Sequence, residues 1–314
     1  MFVVERRACS VLYNVLRTRA DRRPHLLPAN VCAVVPLTLR AARARFRFVD
    51  AGADDPGMDR DACLALLRQA PRRYAGVIYA RPYGAIEDLN SFFAAVKQVR
   101  SDLLLVDDRC LGLPDPAAHA LSVDADVTLW STGPRKVLDL GGGGFAFLGA
   151  TVAYRRQHRQ FREVARRALE RATNAAIVAR RRFRGGTGSW LDVGGAPASW
   201  STFRERIVKE LRGSEPQRAR IRAIYDAELP PEIVLPAGFH TWRFHVQVAD
   251  AQSLVAALFA EGLFASRHYP SLGGILGPGE FPRAERWQER VVNLFLAPVS
   301  EEMACTGSPA SAKR

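Results

Sequence analysis

Residues 103–148 hold LLLVDD (103–108), VTLWS (127–131), TGPRK (132–136) and a run of glycines, 141–144, that leads into GFAFL (144–148). LLLVDD is a short apolar run that ends abruptly in acids. A buried parallel strand has this form when it delivers a side chain to the carboxyl edge of a sheet, where α/β folds bind their ligands. Asp107 and Asp108 stand at that edge. The second apolar run places Ser131 at its end and Lys136 in the loop beyond, and GFAFL reads as a further strand.

Lys136 is conspicuous because only four of the chain's 45 basic residues are lysines: Lys97, Lys136, Lys209 and Lys313. Arginine fills almost every other basic position, yet its guanidinium stays charged. A lysine amine can be desolvated, deprotonated and made nucleophilic toward a carbonyl. An acid on one strand, with a hydroxyl and a lysine after the next, is the set that pyridoxal phosphate requires. The carboxylate serves the pyridine nitrogen, the hydroxyl the phosphate, and the amine the aldehyde.

Working outward, helical and strand patterns alternate. Residues 7–19 predict a helix and HLLPAN (25–30) a short strand. VCAVVPLTLRAA (31–42) predicts a helix with Pro36 either in its first turn or at the start of a break, and RFRFVD (45–50) a strand. DRDACLALLRQA (59–70) and IEDLNSFFAAVKQV (86–99) predict helices that flank the strand GVIYA (76–80). Strands separated by helices of this length imply βαβ units, and hence an α/β domain with a mostly parallel central sheet over 1–183. From about Tyr154 to Arg182 the pattern is helical and arginine-rich. Residues 184–224 read as a loop and linking helix. The glycines of GGTG (185–188) precede no G-K-[ST] triplet and form no phosphate-binding loop. A smaller α+β domain is expected over 225–304, with TWRFHVQV and VVNLFLAP as strands around the helix DAQSLVAALFAEG. The tail 305–314 is polar and expected to be disordered.

The 314 residues are 48% hydrophobic, enough for a substantial core, and their net charge is +13. The arginines are spread along the chain, and their densest clusters alternate with apolar residues at helical spacing, as on a solvated helix face. No nucleic-acid-binding motif is present, and a phosphorylated small molecule is a sufficient polyanion. Cys9, Cys32, Cys63, Cys110 and Cys305 show no paired spacing. Neither a metal site nor a disulfide framework is indicated, and reduced, mostly buried thiols are expected. With no long apolar run and no secretory signal, a cytoplasmic protein that contacts no membrane is expected.

Several of these stretches together resemble the DegT/DnrJ/EryC1/StrS aminotransferases. VDDRCLG (106–112) is similar to the family's acid-bearing strand, and STGPRKVLDLGGGGFAFL (131–148) to its serine, cofactor lysine and following glycines. RPYGAIEDLNSF (81–92) matches its Y-G-x-x-x-D turn, and residues 25–50 resemble its segment ending in F-V-D. RARIRAIYDAEL (218–229), GLFASRHYPSL (262–272) and RVVNLFLAP (290–298) follow in the family's order.

The resemblance implies the type I fold of pyridoxal-phosphate enzymes. It implies transfer of an amino group from a donor such as glutamate to a keto sugar carried on a nucleotide. Lys136 is then the catalytic and cofactor-bearing lysine, Asp108 rather than Asp107 the partner of the pyridine nitrogen, and Ser131 a phosphate ligand. His268, Tyr269 and Tyr83 fall at the substrate mouth. A homodimer, or a heterodimer with a paralogue, is implied, with Asn174 as the candidate to reach a neighbour's cofactor. A lysine at 136 argues against the family's dehydratases, which carry histidine there.

Two departures stand out. ERRACS (5–10) replaces the family's Ser-Gly-Thr phosphate loop, so Ser10, with Arg6 and Arg7, is the expected substitute; either the phosphate cup is altered or the chain begins late. Leu111 stands where the family carries a hydrogen-bonding glutamine or histidine. The alternatives are a degenerate, non-catalytic partner subunit or binding protein and, third, a basic nucleic-acid-binding protein.

Overall fold

The computed structural model describes residues 1–117, 124–194 and 199–296. The expected tail at 305–314, with Cys305, lies outside these residues. The large sheet has seven strands: β1 (Phe2–Glu5), β2 (His25–Pro28), β3 (Phe46–Val49), β4 (Gly76–Ala80), β5 (Leu104–Asp108), β6 (Val127–Ser131) and β7 (Gly144–Leu148). They lie in the order β1-β7-β6-β5-β4-β2-β3. From β3 to β6 every neighbouring pair is parallel, while β7 runs antiparallel to β6 and β1 antiparallel to β7.

Helices α1 (Ala8–Arg19), α2 (Val34–Ala42), α3 (Arg60–Gln69) and α4 (Asn90–Val99) alternate with the first strands. Their apolar stripes divide the core between the two faces of the sheet. On one face Val11, Leu12 and Leu39 pack with Ile78, Leu104 and Val106. On the other, Leu67, Phe93 and Val96 pack with Val77, Leu103 and Leu105. Alternation along β5 therefore assigns its two acids to opposite faces: Asp108 follows Leu104 and Val106, and Asp107 follows Leu103 and Leu105. In register, Asp108 sits beside Ala80 of β4 and Leu129 of β6.

A second, antiparallel sheet has the order β8-β10-β9, from Phe244–Gln247, Val291–Leu294 and Ala265–Ser266. Helices α5 (Glu163–Val178), α6 (Trp200–Glu228), α7 (Ala251–Ala260) and α8 (Pro282–Arg290) complete the order.

The structure corrects the sequence reading at several points. FVVE forms β1, which the charged start of the chain concealed. Residues 154–162 are not helical, because Glu5 and Asn14 claim them. Tyr154 Oη and Arg156 Nε each donate to Glu5 Oε1 at 2.7 Å, and Gln157 N donates to Asn14 Oδ1 at 3.1 Å. The helix read as running through FRERIVKELRG and resuming at Pro216 is instead one unbroken element, α6. α4 begins only at Asn90, and α8 was not anticipated.

Candidate active site

The loop after β6 presents Lys136, and its own backbone closes it. Thr132 N donates to Gly143 O and Leu140 N to Thr132 O, at 3.1 and 2.9 Å. Asp139 then pins both halves, accepting from Arg135 N at 2.9 Å and from Gly141 N at 2.8 Å. Arg135 takes a left-handed conformation, φ 65°, which turns the chain immediately before the lysine. From outside the loop, Trp242 Nε1 donates to Arg135 O at 2.8 Å, so the small-sheet segment braces the lysine's backbone.

Asp107 and Asp108 separate in chemistry as in direction. Arg81 binds Asp107 with two parallel bonds, Nε–Oδ1 at 2.7 Å and Nη2–Oδ2 at 3.0 Å, and Arg109 Nε adds a third at 2.7 Å. Asp107 is thus the buried anion of an arginine clamp. Asp108 accepts from Cys110 N at 2.9 Å and from the Cys110 thiol. Burial raises its carboxyl above the usual range, while the Cys110 bonds and the nearby Lys136 ammonium pull it down. The charge of Lys136 also acts on Cys9, Cys110 and His268.

Ser131 closes β6. Its Oγ accepts from Gly133 N at 3.3 Å, leaving the hydroxyl proton to donate elsewhere. Ser10 does not take the expected place. It is fully buried, its Oγ donates to Asp192 O at 2.5 Å, and its amide is bonded to Arg7 O. Arg6 and Arg7 line, with Arg206 and Gly141 to Gly143, a cavity of about 280 Å³ whose wall includes neither Lys136 nor Asp108. Leu111 is packed in the core with its carbonyl against Gly84, where a Cβ would lie 2.1 Å from that oxygen. Gly84, at φ 77°, is required both by its backbone and by this approach.

The candidate mouth residues form one aromatic group. Tyr83 is buried and stacks on His245, ring centroids 4.3 Å apart. Tyr269 stacks on Trp242 at 5.9 Å, and His268 meets the edge of the same indole at 5.5 Å. Burial, helped by the Arg243, Arg135 and Lys136 charges, drives the His268 imidazole down to about 3, so it stays neutral. Its Nδ1 lies 3.0 Å from Ser266 Oγ. Sequence reasoning missed Cys9, Cys110, Trp242 and Arg243. Cys110 was findable as the next-but-one neighbour of Asp108, whereas Trp242 and Arg243 reach the site only through long-range packing.

Structural comparison places the chain in the fold of pyridoxal-phosphate-dependent aminotransferases. The sugar aminotransferase CalS13 from Micromonospora echinospora superposes with a TM-score of 0.65 at 20% identity, over 97% of this chain and 85% of that one. A DegT DnrJ EryC1 StrS aminotransferase from Brucella abortus gives 0.64 at 18% identity, over 96% and 83%. Spr1654 from Streptococcus pneumoniae, provisionally assigned as a sugar aminotransferase and solved in its PLP-form, gives 0.68 at 17% identity, over 96% and 84%. No protein-family model and no curated protein matches the sequence.

The residues present fit that cofactor. Asp108 is a buried carboxylate with lone pairs left over from Cys110, as a protonated ring nitrogen requires. Lys136 would supply the amine, and Ser131 a hydroxyl that could donate to the phosphate. Among the described residues no helix is long and apolar enough to cross a membrane, and no group of histidine, cysteine or acidic side chains is arranged to hold a metal ion.

Proposed function

We propose that this chain is a pyridoxal-phosphate-dependent aminotransferase that moves an amino group from an amino acid such as glutamate to a keto sugar carried on a nucleotide, acting as a homodimer in the cytoplasm. The observation that carries the reading is the division of labour between the two acids. Asp107 is consumed by Arg81 and Arg109, while Asp108 is buried beside Lys136 with its bonding capacity unfilled. The sugar aminotransferases that share the fold support the substrate class.

Bound pyridoxal phosphate would supply a carbonyl for the lysine amine and a ring that accepts electrons. Asp108 would keep that ring's nitrogen protonated, because a neighbouring carboxylate favours the cationic form. The Ser131 hydroxyl would hold the phosphate. Lys136 Nζ would take the proton from the donor's Cα and later return one to the product carbon, as general base and then general acid. His268 and Tyr269 would shape the mouth, with Tyr83 buried behind them.

Protein purified with added pyridoxal phosphate should be yellow, and borohydride should fix the cofactor to the peptide that contains Lys136. An amino donor added first should change the visible spectrum and reduce trapping. Lys136→Ala should abolish trapping. Trapping at Lys97 or Lys209 would move the site, although the Lys97 amine already donates to Asp126 Oδ2 at 2.7 Å and to Leu103 O at 2.9 Å. A colourless protein would favour the degenerate partner or binding protein, with the committed Ser10 and the apolar Leu111 as its physical cause.

A further inference from the structure

The cavity that Arg6 and Arg7 line lies between the end of β1, the glycine run and the start of α6. Phe203 shapes one wall. α6 buries only Phe203 and Ile207, and Phe203 packs with Val4 and Leu140, which line the same cavity. Gly143 permits that approach. It takes φ 98°, and a Cβ there would lie 2.6 Å from the Phe203 ring and 2.5 Å from Thr132 Oγ1. Arg206 follows Phe203 by three positions, one helical turn, so the anchored ring brings Arg206 to the same cavity.

Three guanidiniums and two carboxylates line this cavity, and each carboxylate already has an arginine. Glu5 is 1% exposed, and its Oε1 accepts bonds from Arg156, Tyr154 and Asn14. Asp192 Oδ2 lies 3.7 Å from Arg6 Nη1. Among the described residues no carboxylate pairs with Arg7 or Arg206, which leaves two uncompensated guanidiniums on one small volume. Gly142 N, also without an acceptor among these residues, belongs to the same wall. Planar cationic forks with an amide N–H beside them suit an oxyanion, and a cation would be repelled. At about 280 Å³ the cavity stands at the lower end of the size range of small-molecule sites. A phosphate or diphosphate fits that volume; a polymer needs an open groove.

We propose that this cavity is a separate anion site, which takes the phosphate or diphosphate of a small phosphorylated molecule through Arg7, Arg206 and the Gly142 amide. It stands apart from Lys136 and Asp108 and goes beyond the aminotransferase reading. The backbone ties it to the lysine. Gly143 N donates to Arg6 O at 2.6 Å, and Gly143 O accepts from Thr132 N at 3.1 Å in the bond that closes the lysine loop. An anion held against the glycine run therefore bears on the loop that presents Lys136.

Inorganic pyrophosphate is the probe, titrated by calorimetry into the protein before and after loading with pyridoxal phosphate and removal of the excess, with acetate at equal ionic strength as the control for screening. Wild-type protein should bind one pyrophosphate per chain in both states and ignore acetate. Arg206→Gln and Arg7→Gln should each weaken pyrophosphate by about tenfold, and Arg206→Lys by less. Arg204→Gln removes an exposed arginine of the same helix that does not line the cavity, and it should change nothing. Bound pyrophosphate should also slow amide exchange over residues 141–143. Binding lost on loading would show the cavity to be the cofactor's own phosphate cup and overturn the proposal. Equal weakening by Arg204→Gln would reduce it to diffuse attraction and overturn it as well, as would unchanged exchange in the glycine run or a wild-type protein that takes up no pyrophosphate. Lys136→Ala should keep full affinity for pyrophosphate. A protein that binds pyrophosphate but never traps cofactor at Lys136 would sink the aminotransferase reading alone.

Discussion

Asp107 and Asp108 share one chemistry, and the pleat of β5 gives them different work. In the sequence the family pattern favours the second acid, and the mutation of the first is expected to be mild. Its chemistry should be mild, but its stability should not. Asp107 holds Arg81 and Arg109 and is fully buried, so Asp107→Asn leaves the buried Arg81 undercompensated and should cost about 3 kcal/mol, the scale of a broken buried ion pair. Asp108→Asn should leave the denaturant midpoint nearly unchanged and lower turnover roughly a hundredfold, because an amide lacks the charge that keeps a ring nitrogen protonated. Denaturation curves and steady-state rates on both variants separate the two roles; equal loss of turnover at wild-type stability would show the register to be wrong. The proposed roles of Lys136, Asp108 and Ser131 were read from local strand patterns. The bond that commits Ser10 and the lack of a paired acid at Arg243 among the described residues could not be read that way. Whether a helix-start serine faces a cofactor depends on Asp192, and whether an arginine lacks an acid depends on residues distant in sequence.

Among elements, the strands of the large sheet were the most legible, since each is a short apolar run between helical stretches. β1 was hidden because its four residues acquire meaning only when paired with β7. The small sheet is unusual in the histidines packed in or beside its strands: His240, His245 and His268. Burial lowers all three below the ordinary value of 6.5, His245 well below it and His268 to about 3. The folded protein thus keeps them neutral at a pH where the unfolded chain has bound protons. Stability contributed by their neutral burial is fully present above about pH 6.5. It is lost as pH falls toward the folded values, at up to about 1.4 kcal/mol per pH unit for each group. His25 in β2, lowered to about 4, adds the same trend to the large sheet, but singly. Hydrogen exchange compared at pH 7 and pH 5 should therefore show amides of β8 and β10 losing protection before those of β4 and β5. Equal protection of the small sheet at both values would mean the histidines find compensation on protonation.

At the scale of the whole molecule, α5 and α6 find little support among the described residues. α5 leaves Val164 and Val178 exposed at 73% and 63%, and α6 buries only Phe203 and Ile207 in 29 residues. Helices of that length draw most of their stability from a packed apolar face, and here much of any such face has no partner among the described residues. The sequence shows helices but not what covers them, because an interface between copies leaves no periodic signature of its own. The proposed homodimer would account for the exposure, and Asn174, exposed on α5, would then be carried toward the neighbouring subunit. Sedimentation at micromolar concentration should give about twice the 34.7 kDa of one chain. The charge of +13 makes the salt dependence informative. Two copies repel each other at low ionic strength, so added salt should strengthen the dimer by screening. Any retention of RNA should weaken instead, as released counterions lose their advantage. Val164→Glu or Val178→Glu should shift the equilibrium toward monomer while leaving the large sheet folded. A wild-type protein that stays monomeric at every salt concentration, alone and with a paralogous chain, would remove the dimer and weigh against catalysis by a site expected to form between subunits.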